Sequence, residues 1–306
     1  MEYIGITAVV LNYRTVQRTI ENVDILIFQN PGIRVVIVDN CSNDGSMDAL
    51  VEKYGKSDNI DVISSEVNGG YSKGNNYGIR YAKAHHEGLK YIVIMNPDVK
   101  CPQKNMLVEM MRELEGDKRI GVLAPMMIQD GSIVVSKIGW KCDDLKRAFQ
   151  KRMYWANTLL PNTVAYRQFK MSNQEQVAYV DVVQGSFFII SIDLFSKVGL
   201  FDENVFLYCE ENILAQKIKK LGYTEGVSLH HYYIHEHSLE RASVEKRRSS
   251  KRQEFKSERY YCKTCLNANV IILFLLDICA FLYLNFEIYL WEGIHKLKCI
   301  GRKNER

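Results

Sequence analysis

Asn96-Pro97-Asp98 stands directly after an apolar run, Tyr91–Met95. A carboxylate there would project past the end of a strand and could join an oxygen-donor site for Mg2+ or Mn2+, a cation that neutralises a diphosphate and stabilises its departure. Asn-Pro-Asp is also good turn chemistry, so Asp98 alone decides nothing. A second acidic position, Glu210-Glu211, follows Phe201-Asp202-Glu203-Asn204-Val205-Phe206-Leu207-Tyr208 and opens a predicted helix. Carboxylates in a first helical turn are favoured by the helix dipole, which explains one Glu without any function. Two adjacent ones can equally provide a general base for an acceptor hydroxyl. Both readings stand at this level.

Three further segments carry polar groups that could bind a ligand. Val38-Asp39-Asn40-Cys41-Ser42-Asn43-Asp44-Gly45-Ser46 leaves a strand and enters a helix. Asp39 could accept the imide hydrogen of a pyrimidine base, whereas Asp44 suits capping of loop amides, with Ser46 available as a helix cap. Asn68-Gly69-Gly70-Tyr71-Ser72-Lys73-Gly74-Asn75-Asn76 is glycine-rich ahead of a helix, and Lys73 could approach a phosphate. It matches neither the dinucleotide fingerprint nor the P-loop, which argues against a dehydrogenase and an ATPase. His235 closes a predicted strand, where it could be a second metal ligand or a structural histidine. A zinc hydrolase stays open as a formal alternative but lacks a His-Glu-x-x-His helix.

These residues need a scaffold that brings them to one place. Strands are predicted over Ile4–Leu11, Ile33–Val38, Ile60–Ser64 and Tyr91–Met95, alternating with helices over Thr15–Phe28, Ser46–Tyr54 and Ser72–His86. That alternation makes a parallel sheet with right-handed crossovers, and ligands of such sheets sit beyond the carboxyl ends of the strands. Asn12, Tyr13, Asp39, Asn96 and Asp98 all fall there. Beyond Gly121 the pattern is less regular, with a basic stretch at Lys146–Arg152 and aromatic residues Trp140, Tyr154 and Trp155. It recovers in a long apolar strand predicted over Tyr179–Ile190, then a short helix near Asp193–Val198 and a longer one over Glu210–Leu221 capped by Gly222.

With 306 residues, 47% of them hydrophobic, the chain can bury the core of one large α/β domain plus an appendage, which excludes a disordered protein. Its net charge of +4 is small, but the basic residues cluster at 241–263 and 296–306. They flank the apolar stretch Val270–Trp291, interrupted only by Asp277, Asn285 and Glu287, so a membrane helix or interfacial hairpin is expected, against a buried core helix as the alternative. No signal peptide is read at the N-terminus. The scattered cysteines suit reduced thiols in a cytosolic compartment, since Cys262 and Cys265 have no second pair for zinc.

In this order the segments Ile6–Tyr13, Val36–Ser46, Asn68–Gly78, Ile94–Val99, Gly185 and Gly199–Tyr223 through His235 resemble the family 2 inverting glycosyltransferases of the GT-A fold, especially the rhamnosyltransferase-like branch. The resemblance covers roughly residues 3 to 238. It implies a nucleotide-diphospho-sugar transferase with a Rossmann-like mixed sheet: a transferase domain at 1–240, divided into a nucleotide-binding half (1–100) and an acceptor-binding half (101–240), and a membrane-associated helical tail at 241–306. It further implies Asp39 as the base-recognising residue, Asp98 and His235 as metal ligands for Mg2+ or Mn2+, and Glu211 as the catalytic base. Asn12, Tyr13, Asn68, Gly70, Lys73, Asn76, Asn96, Gly185 and Glu210 are implied as substrate-binding. Two positions depart from the family pattern. The metal triplet keeps only its last carboxylate, and the base is Glu where the family usually has Asp.

The donor expected from this resemblance is a dTDP- or UDP-sugar, with dTDP-rhamnose first, and the acceptor a lipid-linked saccharide of a bacterial surface polysaccharide at the cytoplasmic face of the plasma membrane. No nucleic acid is expected, and a homodimer is compatible. Two rivals remain. A sugar nucleotidyltransferase would need a glycine-rich, basic signature after the first strand, which Asn12-Tyr13-Arg14 does not supply; a catalytically inactive scaffold would show no metal-dependent nucleotide binding.

Overall fold

The computed structural model describes residues 2–133, 139–153, 156, 159–160, 166, 170–171, 176–236, 243–290 and 292–293. Tyr154, Trp155, Trp291 and the basic residues at 241 and 296–306 lie outside the described residues. The chain forms two compact units, one of residues 1–142, 165–206 and 210–238, the other of 143–164, 207–209 and 239–306.

In the first unit the strands are β1 (Ile6–Asn12), β2 (Arg34–Asp39), β3 (Ile60–Ser64), β4 (Tyr91–Met95), β5 (Val99–Lys100), β6 (Ile120–Gln129), β7 (Ser132–Ile133), β8 (Lys170–Met171), β9 (Val177–Val180), β10 (Phe187–Ser191) and β11 (Thr224–His235). They make one sheet ordered β3-β2-β1-β4-β10-β6-β11-β9-β8, with β5 on β11 and β7 on β6. β3, β2, β1 and β4 run parallel, and β10 then enters antiparallel to both β4 and β6. Parallel strands with both faces covered read as continuous β-branched runs, which is why their positions follow from the sequence. Side chains alternate faces: Ile6, Ala8, Val10, Val35 and Ile37 join one core with Val23 and Leu26, while Val9, Val36 and Val38 join another with Ile79 and Ala82. The helices are α1 (Val16–Gln29), α2 (Ser46–Tyr54), α3 (Gly70–His85) and α4 (Met106–Gly116), then, after α5 (Leu145–Lys151) of the second unit, α6 (Ile192–Lys197) and α7 (Glu210–Lys220).

Two expectations are corrected. The apolar run Tyr179–Ile190 is not one strand, because β9 pairs with β11 whereas β10 pairs with β4 and β6, and the chain changes neighbours between them. Val183 donates its amide to the buried carboxylate of Glu225 (2.6 Å), which holds this connection off the ladder. Ser46 is not the helix cap either: it is the first residue of α2, and Asp44 accepts its amide and hydroxyl. Gly222, with φ +85°, follows α7 in the left-handed conformation that a terminal glycine favours.

The second unit contains α5 (Leu145–Lys151), α8 (Val244–Thr264) and α9 (Val270–Leu282), the last continuing through a wide turn, Tyr283–Glu287, to Leu290. Its interior holds charge. Arg152, 1% exposed, pairs with fully buried Glu258 and donates to the carbonyls of Ala148 and Phe255 (2.9 and 3.0 Å). Lys151 bridges Asp143 and Glu258. Removing one member would strand a buried charge, a loss of about 3–5 kcal/mol.

Candidate active site

At the carboxyl ends of β1 and β2, Asn12 and Asp39 are register partners. Asn12 donates to Asp39 (2.8 Å), and Ser42 donates its amide (3.1 Å) and hydroxyl (2.5 Å) to the same carboxylate. Asn12 also accepts from Thr19 (2.9 Å) and is fully buried, so it orients Asp39 rather than facing open space. Asp39 is itself only 3% exposed, but these three bonds leave it acceptor capacity for one more donor. Tyr13 is exposed beside this loop, with the Arg14 guanidinium over its ring.

A cavity of about 360 Å³ opens next to it, lined by Asn40, Ser65, Glu66, Val67, Gly69, Lys73, Gly74, Tyr77 and Arg80. Its size suits a nucleoside. Lys73 lines it, whereas Asp98, Glu211 and His235 do not. Three residues of the glycine-rich segment have supporting placements. Asn68 accepts from Asn40 and from the Gly70 amide (both 3.0 Å). Gly70 is buried at φ +77°, and a Cβ there would lie 2.1 Å from the Phe206 carbonyl oxygen. Asn76 donates to Phe201 (3.0 Å) and Glu203 (2.9 Å) and accepts from the Phe201 amide. The Asn76 side chain thus pins Phe201 and Glu203 ahead of α7, and the missing side chain of Gly70 lets Phe206 come close.

At the other end, the amide of Asn96 donates to the Ser186 carbonyl (2.8 Å), which ties the Asn96-Pro97-Asp98 turn to the start of β10. Asn22 of α1 donates to Pro97 (2.8 Å) and fixes the same turn. Pairing of β5 with β11 sets His235 opposite Val99, so His235 Nε2 stands 3.2 Å from Asp98 Oδ1 while its Nδ1 faces the Met127 sulfur (3.4 Å). This pair fits a hard divalent cation that takes most of its ligands from diphosphate oxygens and water. Among the described residues no group of three or more His, Cys, Asp or Glu could hold a metal by itself.

Glu210 and Glu211 begin α7 after two residues in left-handed backbone, Tyr208 (φ 71°) and Cys209 (φ 67°), an arrangement costly for residues with a side chain. The two carboxyls differ in environment. Glu210 is 5% exposed, and burial, reinforced by the charge of Glu211, pushes its carboxyl well above the usual range. Glu211 is half-buried and lies against Gly185, where a Cβ would meet its Oε1 at 2.6 Å. Tyr71, which the sequence reading passed over inside the glycine-rich segment, donates to the Gly185 carbonyl (2.5 Å). Burial raises the Tyr71 hydroxyl well above its ordinary value, and the charges of Glu210 and Glu211 add to this. Ser186 shares a hydrogen bond with Tyr233 (2.7 Å), whose hydroxyl is raised by burial and, further, by the charges of both Asp98 and Glu211. The Asp98 turn and Glu211 thus flank the same two residues, Gly185 and Ser186.

The sequence model of glycosyl transferase family 2 matches residues 7–197. The chain belongs to that family. This family 2 glycosyltransferase is 26% identical over 225 residues to the N-acetylglucosaminyl-diphospho-decaprenol L-rhamnosyltransferase of Mycobacterium tuberculosis (strain CDC 1551 / Oshkosh), covering 69% of this chain and 70% of that protein. It is 24% identical over 207 residues to the low-salt glycan biosynthesis hexosyltransferase Agl10 of Haloferax volcanii, covering 67% of this chain and 59% of the relative. Among solved structures, GalNAc-T7 with UDP, GalNAc and Mn2+ has a TM-score of 0.57 at 14% identity, over 78% of this chain and 45% of that one. The mannosyltransferase PcManGT of Pyrobaculum calidifontis, in complex with GDP-Man and Mn2+, has a TM-score of 0.55 at 15% identity, over 94% and 82%. These structural likenesses show the GT-A fold.

Proposed function

We propose that this glycosyltransferase moves a sugar, rhamnose as the first candidate, from a dTDP- or UDP-sugar to a lipid-linked saccharide by a single displacement with inversion. The similarity to a rhamnosyltransferase whose name carries a diphospho-decaprenol acceptor supports the acceptor class and the branch. The observation that carries the catalytic reading is that the Asp98 turn and Glu211 meet at Gly185-Ser186, the Asn96 amide bonding to the Ser186 carbonyl and Glu211 lying against Gly185, although 113 positions separate the two carboxylates in the chain. Glu210, buried and inclined to keep its proton, is suited to position its neighbour; Glu211, with access to solvent, takes the proton of the attacking hydroxyl. Asp98 and His235 would hold a Mg2+ or Mn2+ ion whose charge balances the leaving nucleotide diphosphate. Asp39 accepts from the pyrimidine base, and Lys73 reaches toward the donor from the cavity wall. The tail carries the enzyme at the cytoplasmic face of the membrane in which a lipid-linked acceptor resides, within surface-polysaccharide synthesis.

Glu211→Gln tests this directly. Turnover should fall about 10²- to 10⁴-fold with donor affinity nearly unchanged, as expected for loss of a general base. Turnover within about threefold of the parent would remove Glu211 from that role, and absence of Mn2+-dependent binding of UDP and dTDP by titration calorimetry would remove the transferase chemistry as a whole.

A further inference from the structure

The apolar stretch Val270–Leu290 is long enough to cross a bilayer, about 32 Å at 1.5 Å per residue. What it packs against decides otherwise. Within the second unit α8 lies along it, and their contacts are polar at three levels. Arg259 pairs with Asp277 (2.8 Å), Arg248 donates to the Leu284 carbonyl (2.8 Å) and to Asn285 (2.7 Å), and Arg247 pairs with Glu292. Asp277 and Asn285, two of the groups that interrupt the apolar stretch, are thus met by arginines of a basic helix. Immersing Val270–Leu290 would either break these pairs or drag α8 into hydrocarbon, and α8 carries Lys246, Arg247, Arg248, Lys251, Arg252, Lys256, Arg259 and Lys263.

The opposite face is bare and apolar. Val270, Ile271, Phe274, Leu275, Ile278, Phe281 and Leu282 are all exposed, and at 100° per residue they occupy an arc of about 140°, with the buried Leu273 and Leu276 on the other side. Phe286, Tyr289 and Leu290 extend the exposed row beyond the wide turn. On α8, the exposed Arg252, Lys256 and Lys263 share a stripe within about 80° of the seam residues Arg248 and Arg259. An apolar row flanked by a basic stripe complements acyl chains capped by anionic headgroups; a second copy of this chain would oppose like charges.

Building on the membrane reading above, we propose that Val270–Leu290 lies flat in the headgroup region of an anionic bilayer, with α8 on its aqueous side, and does not cross. The full chain, with Cys41, Cys142, Cys265, Cys279 and Cys299 changed to Ser, is given one bimane-labelled cysteine at Phe274, Phe281 or Leu290 and mixed with phosphatidylcholine vesicles containing about a third phosphatidylglycerol. Lipids carrying a nitroxide near the headgroup or at the acyl terminus report depth. All three probes should quench equally, and best by the headgroup nitroxide. Changing Arg252, Lys256 and Lys263 together to Gln should weaken binding on the order of a hundredfold, about fivefold per charge, with an unchanged thermal midpoint. Vesicle binding with the Phe281 probe deepest and the outer two shallow would mean a span, overturning the flat orientation while leaving the membrane reading intact. No binding to these vesicles would overturn both.

Discussion

Gly185→Ala separates the geometry of the proposed base from its chemistry, because it leaves every titratable group in place. The added Cβ would stand 2.6 Å from Glu211 Oε1, 2.8 Å from its Cγ and 3.0 Å from its Cδ. Ordinary contact begins at roughly 3.4 Å, so the carboxylate must move by about 0.8 Å. A misplacement near 1 Å in a catalytic group costs on the order of 10²-fold in rate, and that is the fall expected in kcat. Gly185 is not among the positive-φ glycines, so alanine brings no backbone strain. The displaced atoms end a half-buried side chain that can swing, and the thermal midpoint should drop by no more than about 4 °C. The assay is kcat and KM on donor hydrolysis or transfer, with donor affinity measured by calorimetry. A variant with kcat within about twofold of the parent would refute the placement of Glu211 as a group that must hold position to work. So would a variant that loses donor affinity and rate together, since the clash touches only the base.

Asp98→Asn should lower Mn2+ affinity in the presence of UDP by more than about tenfold while leaving metal-free nucleotide binding unchanged, read by titration calorimetry. For His231, burial favours the neutral ring, but bonds to Glu113 and Glu109 outweigh it and raise the pKa above its ordinary value. Its contribution is therefore complete below about pH 6.5 and is lost as pH rises through the folded value; the deficit of His231→Gln in urea midpoint should be largest in acid and shrink on the alkaline side. Glu225 is the reverse test: burial raises its carboxyl, with the Val183 amide opposing, so the native state is increasingly penalised as pH climbs above about 4.3. Gln keeps an acceptor for Val183, and Glu225→Gln should gain on the parent in urea midpoint as pH increases.

Much of the first unit follows from local pattern. β-branched runs of five to seven residues separated by amphipathic segments allow little besides a parallel α/β sheet, and strand ends dictate where polar residues collect. Asn12 beside Asp39 was legible for that reason, and so was the acidic start of α7. The partners that Asn68, Gly70 and Asn76 find within the fold were not, since they come from residues far away in the chain. The break within 179–190 has a local mark, since Asp181 and Gln184-Gly185-Ser186 stand between two apolar runs, but the change of partner from β11 to β4 and β6 has none, because hydropathy does not say which strand a run pairs with.

The sequence by itself determined the element types, the family and the supply of carboxylates, because these depend on residues close together in the chain. Tertiary structure alone decided which of them meet. The β5–β11 register brings His235 to Asp98, Tyr71 reaches Gly185 across 114 positions, and burial divides two adjacent glutamates into one whose carboxyl it raises and one open to solvent. Likewise, hydropathy marks Val270–Leu290 as apolar, but only its packing against a basic helix reveals which side is left bare. Such outcomes depend on pairings and on solvent exclusion between distant segments, quantities that no local run of residues encodes.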